Sequence, residues 1–184
     1  LTLHNVRMLD SNSLPIHGAM VNITLKNGKQ ANIAIMGDSG AGKSESLEAF
    51  RTLSDKYLKD FKIVFDDMGS FKIENGKVYG YGTEIGAFVR LDDLEPGYAF
   101  KEMDRAIFMS PNKINARLLY PVSTYSEITK GYKVDMFLYA NNYENNNESL
   151  KLFSDKNEAI DVFRKGLRKA KGTTTEVGLV ESYF

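Results

Sequence analysis

The chain has 184 residues, and its 24 Lys plus Arg balance 24 Asp plus Glu for a formal net charge of zero. That balance excludes a general nucleic-acid or membrane-surface binder, since each neutralised phosphate needs its own cation. With 42% hydrophobic and 26% charged residues and no Cys, the chain is expected to fold as one globular domain with only oxygen and nitrogen ligands for any chemistry.

No run approaches the ~18 apolar residues of a membrane span, and the opening LTLHNVRMLD lacks the cationic start and apolar core of a signal peptide, so a cytoplasmic protein is expected. In chain order, Thr2 to Leu9 and Ala19 to Leu25 read as two alternating strands separated by DSNSLP. Asn27-Gly28 predicts a type I′ hairpin into the apolar strand Ala31 to Met36. That strand ends in the glycine-rich GDSGAGKS, and Leu47, Phe50, Leu53, Tyr57 and Leu58 then recur at helical spacing from Ser44 to about Leu58. Phe61 to Phe65 predicts a short buried strand ending in Asp66-Asp67. A second hairpin is expected at Asn75-Gly76. Ala106 to Met109, Leu118 to Val122 and Val134 to Ala140 are further strand candidates, and NNYENNNES reads as an exposed loop. Asp155 to Lys171 predicts an amphipathic helix stopped by Gly172.

The strongest chemical signal is Gly37-Asp38-Ser39-Gly40-Ala41-Gly42-Lys43-Ser44, a complete G-x-x-x-x-G-K-[ST] phosphate loop between a predicted strand and a predicted helix. Glycines let successive backbone N–H groups turn toward phosphate oxygens, and the positive end of the following helix adds its dipole. Lys43 then reaches the β and γ phosphates of ATP, and the Ser44 hydroxyl takes one position around Mg²⁺. A triphosphate site needs a further anionic group for the metal, and Asp66-Asp67 stands where a neighbouring strand would deliver it. The competing reading of that pair is a solvated strand end, since Asp is common in turns. His17 reads as a structural residue or a metal ligand, and His4 as structural. Arg90 and Arg117 are candidates for pinning charged oxygens, because guanidinium forks match phosphate and carboxylate geometry.

The order of these motifs resembles the nucleotide-binding domain of ATP-type phosphoenolpyruvate carboxykinase. LPIHGAMVNI resembles the segment ending in that family's metal-binding His, which implies a Mn²⁺ role for His17. GDSGAGKS stands where the family's phosphate loop stands, and Asp66-Asp67 match its Asp pair. The segment from Glu84 to Arg90 is similar to Glu-Gly-Gly-Cys-Tyr-Ala-Lys, placing Arg90 where a Lys touches the γ phosphate. NARLLYP is similar to Asn-Thr-Arg-Val-Ser-Tyr-Pro, which gives Arg117 the role of bridging the transferred phosphoryl group. MFLYANNYE and GTTTE fall where the family has its adenine-side and threonine-rich segments. The form GDSGAGKSE is closer to the loop of HPr kinase/phosphorylase.

The resemblance implies an α/β fold built on a mixed, twisted, phosphate-loop sheet of the carboxykinase or HPr kinase type, with flanking helices and the site at the carboxyl ends of the central strands. It implies ATP, Mg²⁺ and Mn²⁺ as cofactors, and conversion of oxaloacetate to phosphoenolpyruvate, CO₂ and ADP. Residues 1–184 then form the nucleotide-binding catalytic domain of a longer chain, inactive alone, whose amino-terminal substrate domain precedes Leu1. Nucleotide and a small carboxylate are the expected partners. An HPr-type serine protein kinase and a non-catalytic nucleotide sensor are the alternatives.

Overall fold

The computed structural model describes residues 2–37, 41–52, 54–90, 107–109, 117–141, 143, 150–169 and 178–181. They fall into two compact units, one of residues 1–36 and 43–139 and another of residues 37–42 and 140–184.

The first unit opens with a helix, α1 (Thr2–Asp10), where a strand is expected. Leu3, Val6 and Leu9 also satisfy a helical repeat, and the three-residue spacing wins because the segment has a strong stop signal at its end. Asn12 takes a left-handed φ of 53°, Ser13 N donates to Met8 O at 2.8 Å and Asn12 N to Leu9 O at 3.0 Å. This is a Schellman closure with Asn at the position glycine usually fills. His4 Nε2 lies 3.4 Å from Gly69 O, in keeping with its structural reading.

β1 (Leu14–Leu25) follows, starting five residues earlier than the sequence suggests, so that His17 lies inside a strand and not between two. β2 (Gln30–Met36), β3 (Leu58–Glu74), β4 (Lys77–Gly82), β8 (Tyr132–Lys133) and β9 (Met136–Tyr139) complete a six-stranded mixed sheet in the order β8-β4-β3-β1-β2-β9. Every pairing is antiparallel except β2 with β9, which is parallel. A separate three-stranded antiparallel sheet runs β5 (Gly86–Arg90), β7 (Arg117–Pro121), β6 (Ile107–Met109). The domain is thus mixed α/β, as expected.

The two Asn-Gly pairs make different turns. Asn75 and Gly76 both take positive φ, 51° and 72°, and Glu74 pairs directly with Lys77, so this is the predicted two-residue type I′ hairpin. At the first pair only Gly28 is left-handed, φ 84°, while Gly28 N donates to Leu25 O and Leu25 N to Lys29 O. That is a three-residue loop closed by a glycine bulge, and it corrects the type I′ expectation.

The helix after the phosphate loop is described over α2 (Lys43–Thr52) and α3 (Ser54–Tyr57), on either side of residue 53, which lies outside the described residues. Leu47 is its buried anchor, 1% exposed. Met20, Ala34, Val64, Phe65, Phe71, Tyr132 and Val134 form the main core cluster with Ile16, and Phe71 meets Phe137 edge to face at 5.5 Å. A short helix, α4 (Tyr125–Thr129), is capped by Thr124 Oγ1 accepting from Glu127 N.

The second unit contains α5 (Lys156–Lys165), N-capped by Asp155 and ended by Gly166 in the left-handed region at φ 50°. The helix is therefore shorter than the sequence pattern suggests, because Gly166 stops it before Gly172, which lies outside the described residues. β10 (Arg168–Lys169) pairs antiparallel with β11 (Leu179–Val180). Among the described residues no helix is long and apolar enough to cross a membrane.

Candidate functional site

Local sequence explains how the site residues are delivered. In the phosphate loop Gly42 takes φ 92°, a backbone that side chains rarely adopt, which is why glycine precedes Lys43. Within the same unit a Cβ on Gly37 would lie 2.4 Å from Ala140 O, so this position also admits only glycine. Asp38, Ser39 and Gly40 lie outside the described residues. Lys43, the first residue of α2, is 6% exposed.

The expected short strand ending in Asp66-Asp67 is corrected by β3, which runs on for 17 residues and carries the pair in its middle. The chain does not turn there, because Gly69, Ser70 and Phe71 continue the ladder with Ile16, Pro15 and Leu14 of β1. Consecutive strand residues ordinarily point to opposite faces. Asp67 breaks that alternation with φ 96°, opposite Gly18 in β1. A Cβ on Gly18 would meet Ile35 O at 2.7 Å, so a bare glycine lets β2 lie close beside the strand position that faces Asp67.

The structure brings the sequence candidates together in two pairs. Ser44 Oγ donates to Asp66 Oδ1 at 3.2 Å, joining the start of α2 to a carboxylate that is 5% exposed. His17 Nε2 lies 2.8 Å from Asp67 Oδ1, and both side chains remain partly open to solvent, at 36% and 45%. Two ligands at right angles around an octahedral ion, each at about 2.1 Å, are roughly 3.0 Å apart. Both pairs therefore have the spacing of neighbouring ligands on one divalent ion each. Among the described residues no three His, Cys, Asp or Glu side chains converge as a direct-ligand group.

Glu84, between β4 and β5, joins this cluster without having been singled out as a site residue. Its Oε1 is buried and lacks a hydrogen-bond partner. Burial first, then the charges of Asp67 and Asp66, push its carboxyl up to about 7. No spacing in the sequence marks it. The signal is its place as the first residue of the matched segment ending at Arg90. The orphaned oxygen is what a cation, or water around one, would satisfy, so the residues present fit a divalent metal.

Arg90 and Arg117 occupy directly opposed register positions in β5 and β7, with Met109 of β6 facing Arg117 from the other side. They stand at the opposite end of β5 from Glu84. β5 is five residues long, or roughly 16 Å of extended chain. The two arginines are thus brought together, but away from the acidic end of that strand. The GTTTE segment lies outside the described residues, as does most of NNYENNNES. No protein-family model matches the chain, and no curated protein matches it.

Proposed function

We propose that this chain is a nucleotide-binding domain that uses ATP and divalent metal for phosphoryl transfer to a small carboxylate, as an enzyme resembling ATP-type phosphoenolpyruvate carboxykinase would. The observation that carries this reading is the hydrogen bond from Ser44 Oγ to Asp66 Oδ1. It ties the hydroxyl of the phosphate-loop motif to a strand carboxylate, the two side chains that phosphoryl-transfer sites use around Mg²⁺.

Gly37, Asp38, Ser39, Gly40, Ala41 and Gly42 supply loop amides for the phosphates, and Lys43 adds a point charge toward the β and γ oxygens. Ser44 and Asp66 hold Mg²⁺, while Asp67 and His17 hold a second ion, for which Mn²⁺ suits the mixed oxygen and imidazole set. Bound there, the metal ions offset charge on the phosphoryl oxygens and on an enolate. Asp66 fixes the Ser44 hydroxyl. Arg90 and Arg117 sit at opposed register positions in β5 and β7. Their task is to hold phosphoryl or carboxylate oxygens at the end of β5 away from the acidic cluster.

The HPr-type kinase reading draws on the His17–Asp67 contact, since Asp67 would then be the base for a protein serine and His17 its partner. A nucleotide sensor would use the same loop without turnover. Lys43→Ala should abolish ATP-Mg binding measured by calorimetry. Unchanged affinity would remove the phosphate-loop assignment and every reading built on it.

A further inference from the structure

Glu84 is partly buried, with one carboxyl oxygen, Oε1, buried and without a donor, and its surroundings are unusual on both sides. Across the ladder, Val122 N and Ser123 N both donate to Ile85 O, at 2.8 and 3.1 Å. With Gly86 paired to Pro121 at the end of the ladder, this is a β-bulge that sets Val122 and Ser123 together opposite Ile85. Ser123 Oγ is also buried and without a hydrogen-bond partner. The two orphaned side-chain atoms therefore belong to residues just beyond the same end of the ladder.

On the other side lie two carboxylates from consecutive residues of β3. The left-handed backbone of Asp67 breaks the alternation that would send Asp66 and Asp67 to opposite faces. Gly82 pairs with Gly69, and Thr83 Oγ1 donates to Met68 O at 3.1 Å, which sets the next residue, Glu84, beside Asp67. A rarely adopted backbone that gathers carboxylates around a buried, unsatisfied oxygen persists only when the arrangement is used. A divalent cation reverses the sign of all these contributions, turning mutual repulsion into shared attraction.

We propose that Glu84 is an outer carboxylate of the divalent-cation site, with Oε1 accepting a hydrogen bond from a water in the shell of the ion held by Asp67 and His17. This rests on the metal-dependent phosphoryl-transfer reading above. A water-mediated place follows from the lack of any three converging direct ligands among the described residues, and from the tendency of hard divalent ions to keep several waters. Outer partners of this kind tune affinity by 10- to 100-fold in metal sites generally.

The test is a Mn²⁺ titration of the full chain, reading free Mn²⁺ by electron paramagnetic resonance, for wild type, Glu84→Gln and Asp67→Asn. Glu84→Gln should weaken Mn²⁺ about 10- to 100-fold without lowering the unfolding temperature measured in chelator. The upward shift of that temperature on adding Mn²⁺ should shrink in the same variant, each protein being compared with its own baseline. If Glu84→Gln binds Mn²⁺ as tightly as wild type while Asp67→Asn loses it, the role given to Glu84 is wrong and the metal site stands. If wild type binds no Mn²⁺, with or without ATP, both fall.

Discussion

Glu84 and Glu127 belong to the same compact unit and have opposite surroundings. Glu127, in α4, accepts from the Tyr132 hydroxyl and from Lys62 Nζ at 3.1 Å. Those two donors, Tyr132 foremost, hold its carboxyl below the ordinary carboxylate range. Tyr132 responds in the other direction, its phenol pushed upward by burial and by the same carboxylate. Glu84 has burial without such donors on Oε1, and neighbouring carboxylates in place of a cation. One acid is stabilised as an anion by its own protein. The other is disfavoured as an anion by burial and by its acidic neighbours, the pattern by which a candidate site carboxylate differs from a structural one.

The contrast can be broken most directly at Glu127. Glu127→Gln weakens two charge-assisted hydrogen bonds at a side chain only 26% exposed, and should lower unfolding free energy in urea by about 2 kcal/mol at neutral pH. A loss below a few tenths would mean that the Tyr132 and Lys62 contacts contribute nothing. The stability from Glu127 is present above the unfolded carboxylate range and disappears as pH falls through its depressed folded value, so the variant and wild type should converge in acid.

A smaller effect of opposite sign is expected at Glu84. Its folded pKa, about 7, exceeds the ordinary 4.5, so the folded state binds the proton more tightly. Wild-type stability should fall as pH rises from about 4.5 to about 7 and then level off. Glu84→Gln lacks this decline. It should be more stable than wild type by about 1 kcal/mol at pH 8 without metal, partial solvent access keeping the gain under the full linkage value. Equal pH profiles for the two proteins would sink the account of Glu84 as a disfavoured anion.

The smallest change sharpens the division between donors. Tyr132→Phe removes the hydroxyl and leaves Lys62 in place, and should cost about 1 kcal/mol or less, with the Glu127 carboxyl rising toward its ordinary value in a ¹³C titration. No movement of that resonance would assign the depression to Lys62 alone.

Much of the site was legible in the sequence because its residues are contiguous or flanked by strong local signals. The phosphate loop needs glycine at Gly42 for a backbone reason visible in the motif itself. Asn75-Gly76 gave the correct hairpin, since both residues adopt the left-handed turn. What stayed hidden depends on pairing between distant segments. The alternation of Thr2 to Leu9 could not show that Asn12 and Ser13 close a helix. The run to Phe65 could not show that β1 would hold β3 extended through Asp66-Asp67. Glu84 entered only through its neighbours, because standing beside Asp67 is a matter of strand pairing and not of spacing along the chain.

The parallel pairing of β2 with β9 carries a consequence for biosynthesis. Ile33 and Met136 are partners, so about 100 residues must be added between the strand that feeds the phosphate loop and the strand that covers its free edge. At ordinary synthesis rates that takes roughly 5–20 s. During that interval the outer edge of β2 offers unpaired backbone groups to other chains. The nascent protein is therefore most prone to mispair beside the glycine-rich segment that follows β2.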